Sequence, residues 1–266
     1  LAKSDRGDVH VTDRTLDDAT WVVVYERDDG PVKYYLYDRQ AKKASFLFSN
    51  RPGLDGLKLS RMYPVVIKAR DGLELVSYYS LPPWADDDGK ATQPLPLVLN
   101  VHGGPWARDS WGYHPEHQWL SNRGYAVLSV NFRGSTGLGK SFINAANQEW
   151  AGKMHTDLLD AVAWAVDSGI ALPDKVAIYG GSYGGYATLV GLTFTPEQFA
   201  CGVDIVGPSN LLTLLTTIPP YWAPMIDMFT TRVGDHRTDD GRKLLEERSP
   251  LHKADAIVKP LLLAQG

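Results

Sequence analysis

The sequence predicts an α/β protein: a mostly parallel sheet with helices on both faces, preceded by a β-rich segment over residues 1–58. Three observations carry this. Short apolar runs recur at 97–101, 125–132, 176–179, 201–206 and 260–263. Helix-compatible stretches separate them, the pattern of strands buried on both faces. Glycine clusters stand behind three of these runs, at 103–104, 134 and 180–185. The carboxyl ends of parallel strands are where such sheets place their sites. The start of the chain instead shows short β-branched and aromatic runs joined by turn residues.

In order, Trp21–Tyr25, Lys33–Tyr37 and Ser45–Phe48 read as three antiparallel strands. Asp28-Asp29-Gly30-Pro31 supplies one turn and a polar stretch the other. Their spacing resembles most of one propeller blade; a small accessory meander reads nearly as well. Residues 50–61, with Pro52, Gly53 and Gly56, read as a linker. Residues 63–69 and 73–81 form a hairpin around Asp71-Gly72. Pro82-Pro83 and Asp86-Asp87-Asp88-Gly89 read as a surface loop.

The alternating pattern begins at Leu97. A short helix is expected over 115–122. Thr156–Asp167 is amphipathic, with Leu158, Leu159, Val162, Ala165 and Val166 on one side and Gly169 as its stop. Asp157 and Asp160 read there as a solvated face. Cys201 excludes an intrachain disulfide and reads as a core residue.

Composition narrows the function. The chain has 266 residues, 44% hydrophobic and 22% charged, enough for one large domain. Its net charge of −4 without a basic block argues against nucleic acid. The apolar runs are too short to span a bilayer. The chain begins with Leu1 and runs out after an expected strand, which reads as a truncation at both ends. No motif calls for a metal or cofactor. Homo-oligomerisation is left open, as is the compartment, with the cytoplasm favoured.

Chemistry concentrates at Val176–Tyr186. A short apolar strand meets Gly180-Gly181-Ser182-Tyr183-Gly184-Gly185-Tyr186, and helix-compatible residues follow. That is the strand–turn–helix setting of a nucleophile elbow. A serine at so sharp a turn has backbone close by, which favours glycine two positions to either side. A helix N-terminus behind it favours developing negative charge. A rival motif, Gly134-Ser135-Thr136-Gly137-Leu138-Gly139-Lys140-Ser141, matches a phosphate-cradling loop. Against it, the residues after Ser141 make a poor amphipathic helix. In addition, no later strand ends in an aspartate for magnesium.

Together, His102-Gly103-Gly104-Pro105, Asn131-Phe132-Arg133-Gly134-Ser135-Thr136-Gly137 and the heptad around Ser182 resemble the prolyl oligopeptidase family of serine hydrolases, in its acylaminoacyl-peptidase-like branch. The resemblance covers about residues 62–266. It implies an α/β-hydrolase catalytic domain over 59–266, with 1–58 as the end of a β-propeller that admits short peptides. It also assigns residues 134–141 to a structural loop.

Ser182 is then the nucleophile, and the backbone N–H of Tyr183 is one oxyanion donor. The resemblance points to Gly104 for the second. Losing one such donor typically costs about 3–4 kcal/mol of transition-state stabilisation. His102 precedes the serine, whereas this fold orders its triad Ser, Asp, His; it reads as a support for the loop. Neither His236 nor His252 matches the family position, so the triad Asp and His are not identifiable in this chain. Leu211, Trp222, Met225 and Ile226 are candidates for an apolar substrate pocket. The expected function is a serine peptidase cleaving short or N-acylated peptides. A carboxylesterase with the same nucleophile, and a catalytically incomplete fragment or interaction module, remain alternatives.

Overall fold

A computed structural model describes residues 4–266. The chain opens with a four-stranded antiparallel meander, β1 (Asp8–Arg14), β2 (Thr20–Glu26), β3 (Lys33–Asp38) and β4 (Lys43–Ser49). The three strands expected there are present. The additional β1 pairs with β2; five of its seven residues are polar and it is exposed along nearly its whole length, Val11 included, so its sequence carries little strand signal. Tyr25, Tyr35 and Phe46 hold the sheet together by edge-on ring contacts at 5.1 and 5.5 Å.

The hairpin β5 (Met62–Lys68) and β6 (Glu74–Ser80) follows, turned by Asp71-Gly72 with Gly72 at φ 90°. The segment expected as a loop folds into a two-residue hairpin, β7 (Asp86–Asp87) and β8 (Lys90–Ala91). Asp88 and Gly89 both take positive φ there, the conformation that such tight turns require.

The remaining elements are β9 (Leu95–Val101), α1 (Pro115–Ser121), β10 (Ala126–Val130), α2 (Lys140–Asn144), α3 (Lys153–Asp167), β11 (Ala171–Gly181), α4 (Tyr183–Phe194), β12 (Cys201–Ile205), α5 (Leu211–Thr216), α6 (Ile226–Arg232), α7 (Asp239–Glu247) and β13 (Leu261–Ala264). The main sheet runs β13-β12-β11-β9-β10-β6-β5. Strands from β10 through β13 are parallel to their neighbours, while β6 joins β10 antiparallel.

Burial on both faces explains the near-continuous apolar strands. Leu97 and Leu99 of β9 join the larger core, with Ala126, Leu128, Val176 and Ile178 beside them. Val98 and Val127 point the other way and meet Leu120 of α1. Helix α4 is apolar nearly all round and buried along almost its whole length. Among the described residues, no helix is long and apolar enough to cross a membrane.

The order places β9 at the point where the chain reverses direction across the sheet, with β10 on one side and β11 on the other. A crevice opens at the carboxyl ends of strands so arranged. Gly103-Gly104 follow β9 and Ser182 follows β11, so topology alone makes them neighbours.

Candidate active site

Ser182 is exposed, between the end of β11 and the start of α4, at φ 56° and ψ −117°. Non-glycine residues rarely adopt that conformation. Surrounding backbone enforces it. Ser182 N–H donates to Ile205 O of β12 at 2.8 Å, and Ser182 O accepts from Tyr186 N–H at 3.0 Å. A Cβ on Gly180 would lie 2.6 Å from the Gly184 carbonyl carbon, and one on Gly184 only 2.0 Å from Val101 O. The glycines of the heptad are therefore a packing requirement: the first turn of α4 sits directly against the ends of β9 and β11.

The loop after β9 approaches the serine closely. A Cβ on Gly103 would stand 3.5 Å from Ser182 Cβ and 3.2 Å from Gly181 O. Gly104 takes φ 121° and faces the same cavity as Ser182. The N–H groups of the first turn of α4, starting at Tyr183, have no partner within the helix. A serine hydroxyl thus stands beside a helix N-terminus on one side and a glycine turn on the other, an arrangement suited to stabilising an oxyanion.

His102 is engaged on both ring nitrogens. Nδ1 lies 2.7 Å from Gly103 O, which can only accept, so Nδ1 carries the proton. Nε2 lies 3.0 Å from Ser135 Oγ, whose one proton is shared between Nε2 and Phe132 O, 2.7 Å away. The ring stacks on Phe132 at 4.5 Å, and burial pushes its pKa below the usual histidine range. Both ring nitrogens thus face partners other than Ser182, and the ring ties the glycine loop to the end of β10.

The same segment rests on a buried ion pair. Arg133 Nε and Nη2 donate to Asp157 Oδ2 and Oδ1 at 2.8 and 2.7 Å, and Arg133 N–H donates to Oδ2 at 2.9 Å. Nη1 reaches Asp71 Oδ2 at 2.9 Å. Asp157 is fully buried, and Asp160 is bidentate to Arg70 with a largely covered side chain. The expectation of a solvated face is corrected here: Arg133, just past β10, pairs with Asp157, and the β5–β6 turn folds over α3 and supplies Arg70 to Asp160. Cys201 is half-buried on β12, more open than a core position. Residues 134–141 form a connecting loop, with Ser135 buried and Thr136 N–H donating to Ala107 O at 2.9 Å; Lys140-Ser141 begin only the five-residue α2.

Ser182 opens into a cavity of about 290 Å³ lined by Gly104, Trp150, Tyr183, Val206, Pro208, Leu214, Trp222, Phe229 and Gln265. Trp222 alone of the four pocket candidates is on its wall. Leu211 is fully buried in the core, because α5 turns Leu211 and Leu215 inward and leaves Leu214 to the cavity. Met225 is exposed and Ile226 half-buried, both off the wall. Trp150 and Phe229 escape sequence reasoning because nothing local marks a residue brought to the site by a distant loop or helix. Among the described residues lining the cavity there is no histidine or carboxylate. His236 has a buried Nδ1 without a hydrogen-bond partner, and His252 is exposed.

The strand order and the turn that presents Ser182 are those of the α/β-hydrolase fold and its serine hydrolases. The chain belongs to the prolyl oligopeptidase family, whose sequence model matches residues 111–266. It is 64% identical over 262 residues to dipeptidyl aminopeptidase BIII of Pseudoxanthomonas mexicana, covering 98% of this chain and 38% of that protein. It is 47% identical to dipeptidyl peptidase family member 6 of Caenorhabditis elegans, covering 98% of this chain and 37% of that protein. A puromycin-hydrolysing peptidase of Mycobacterium tuberculosis superimposes with a TM-score of 0.79 at 30% identity, over 93% of this chain and 38% of that one. The chain therefore spans less than two-fifths of the length of these relatives.

Proposed function

We propose that residues 59–266 belong to the catalytic domain of a serine peptidase acting on short peptides, with residues 1–58 part of a β-propeller. The strained, exposed Ser182 beside Gly104 and the N-terminus of α4 carries this reading. Ser182 Oγ attacks the scissile carbonyl carbon and gives up its proton to a general base. The carbonyl oxygen becomes an oxyanion held by the N–H groups of Tyr183 and Gly104. Collapse expels the amine with a proton and leaves an acyl-enzyme, which water hydrolyses by the same path.

Two features support the domain reading. The meander has the four antiparallel strands of one blade. It is joined to the larger unit by the Asp28 carboxylate accepting from Met62 N–H at 2.8 Å and by Gln118 Nε2 donating to Asp28 O and Ser60 O. The name of the 64% identical relative makes release of a dipeptide from a free N-terminus the first activity to test, against release of an N-acylated residue. The assay compares a dipeptidyl anilide, an N-acylaminoacyl anilide and a nitrophenyl ester on the full-length protein. Peptide anilides are expected to turn over, and Ser182→Ala should abolish both turnover and labelling by a fluorophosphonate. Retained turnover in Ser182→Ala would remove the nucleophile assignment.

A further inference from the structure

A run of stacked rings connects the wall of the cavity to the turn that carries Gly104. Trp222 lies on the wall and stacks on Phe229 with centroids 6.0 Å apart and planes 11° apart. Phe229 also lines the cavity, and it meets Trp106 edge-on at 5.4 Å and 74°. Trp106 stands two residues after Gly104 inside one tight turn. A Cβ on Gly104 would lie 2.7 Å from Trp106 N and 3.0 Å from Ala107 N. The turn is held on its other side by His102 on Gly103 O and by Thr136 N–H on Ala107 O. Trp106 is thus where packing from the pocket reaches the turn.

We propose that Phe229 is a positioning residue that makes oxyanion stabilisation depend on the side chain held in the cavity. The proposal rests on the assignment of Ser182 and Gly104 above. Phe229 is almost fully buried, so its ring cannot tilt without shifting Trp106 or Trp222. A substrate side chain packed on Trp222 and Phe229 restricts both rings and, through Trp106, the orientation of the Gly104 turn. A glycine leaves them free. Misplacing a catalytic group by 1 Å costs on the order of 100-fold in rate. An aromatic or branched aliphatic residue before the scissile bond should therefore raise kcat, beyond its effect on binding.

The experiment uses the full-length protein and two peptide anilides that differ only in the residue before the scissile bond, glycine or phenylalanine. The wild-type kcat ratio should favour phenylalanine by roughly tenfold or more, a fraction of the misplacement cost. Phe229→Leu keeps apolar volume but breaks the ring run. Both anilides should slow, with the kcat ratio falling towards one, whatever change in the KM ratio the lost wall contact brings. Trp106→Leu should produce the same collapse, and Phe229→Tyr should keep the ratio.

An equal drop in kcat for both anilides, or a change carried by KM alone, overturns the proposal. Should Phe229→Leu fail to fold by circular dichroism, Trp106→Leu decides. Ser182→Ala separates the two failures. If it retains turnover, the nucleophile assignment falls; if it is inactive while the ratio is unmoved in Phe229→Leu, only the role of Phe229 falls.

Discussion

Ser182→Gly should stabilise the protein while abolishing its chemistry. Ser182 sits at φ 56° and ψ −117°, the region of the first central residue of a type II′ turn, which glycine dominates. Holding a side chain there costs of order 1–3 kcal/mol. Ser182 is exposed and its side chain makes no cap hydrogen bond, so little packing is lost on removing it. Glycine brings its own cost, about 0.5–1 kcal/mol of extra backbone entropy. The net gain is roughly 0–2.5 kcal/mol, centred slightly above 1. Ser182→Ala is the proper reference, since it lacks the hydroxyl but keeps the strained Cβ. At about 2–4 °C per kcal/mol for a domain of this size, Ser182→Gly should melt a few degrees above Ser182→Ala. Urea titration of the two variants gives the same difference directly. A Ser182→Gly variant no more stable than Ser182→Ala would refute the claim that this turn stores strain.

Two further outcomes follow from groups beneath the site. Arg133→Leu leaves the Asp157 carboxylate buried without its partner and should cost about 3–5 kcal/mol in urea unfolding; the double variant Arg133→Leu/Asp157→Leu should cost clearly less than the sum of the singles. Asp109 is buried with Oδ2 unpartnered, and burial pushes its carboxyl up to about 7, opposed in part by Arg108. The folded state therefore holds a proton that the unfolded state releases near pH 4, so stability should fall as pH rises from about 4 to 7, by up to about 4 kcal/mol. Asp109→Asn should flatten that slope in denaturant titrations run across the window, and an unchanged slope would show that another group causes it.

Much of the sheet was legible because its signals are local. Asp71-Gly72 marks the β5–β6 turn, and the apolar runs mark β9 to β13. Local signals fail where a partner lies far along the chain. Strand β11 begins at Ala171, five residues before the apolar run, because a register irregularity carries Pro173-Asp174-Lys175 inside it. Asp157 looks solvent-facing on a helical wheel and is buried because Arg133 lies 24 residues earlier. The pocket is the extreme case. Trp150, Val206, Phe229 and Gln265 come from four separate segments, and no periodicity joins them. The serine itself was readable because the glycines its turn requires stand beside it in sequence, even where the backbone they clear, such as Val101 O under Gly184, belongs to a distant strand.

The site divides into a rigid part and a more open one. Ser182 is fixed by β12 through Ile205 O, and the turn of Gly104 by His102, Ser135 and Thr136. Arg133 and Asp157 lock the end of β10 beneath them. In the proposed mechanism Ser182 and Gly104 meet developing charge, and preorganisation matters most there. The outer wall is different: Tyr221, Trp222 and Met225 are exposed on the short helical turn Pro220–Met225. Substitutions on that turn can reshape the pocket without touching the hydrogen bonds that hold Ser182. Phe229 is where the two parts meet. A fold built this way can vary its substrate through one exposed turn while keeping a single chemistry, provided that the ring between Trp222 and Trp106 is retained.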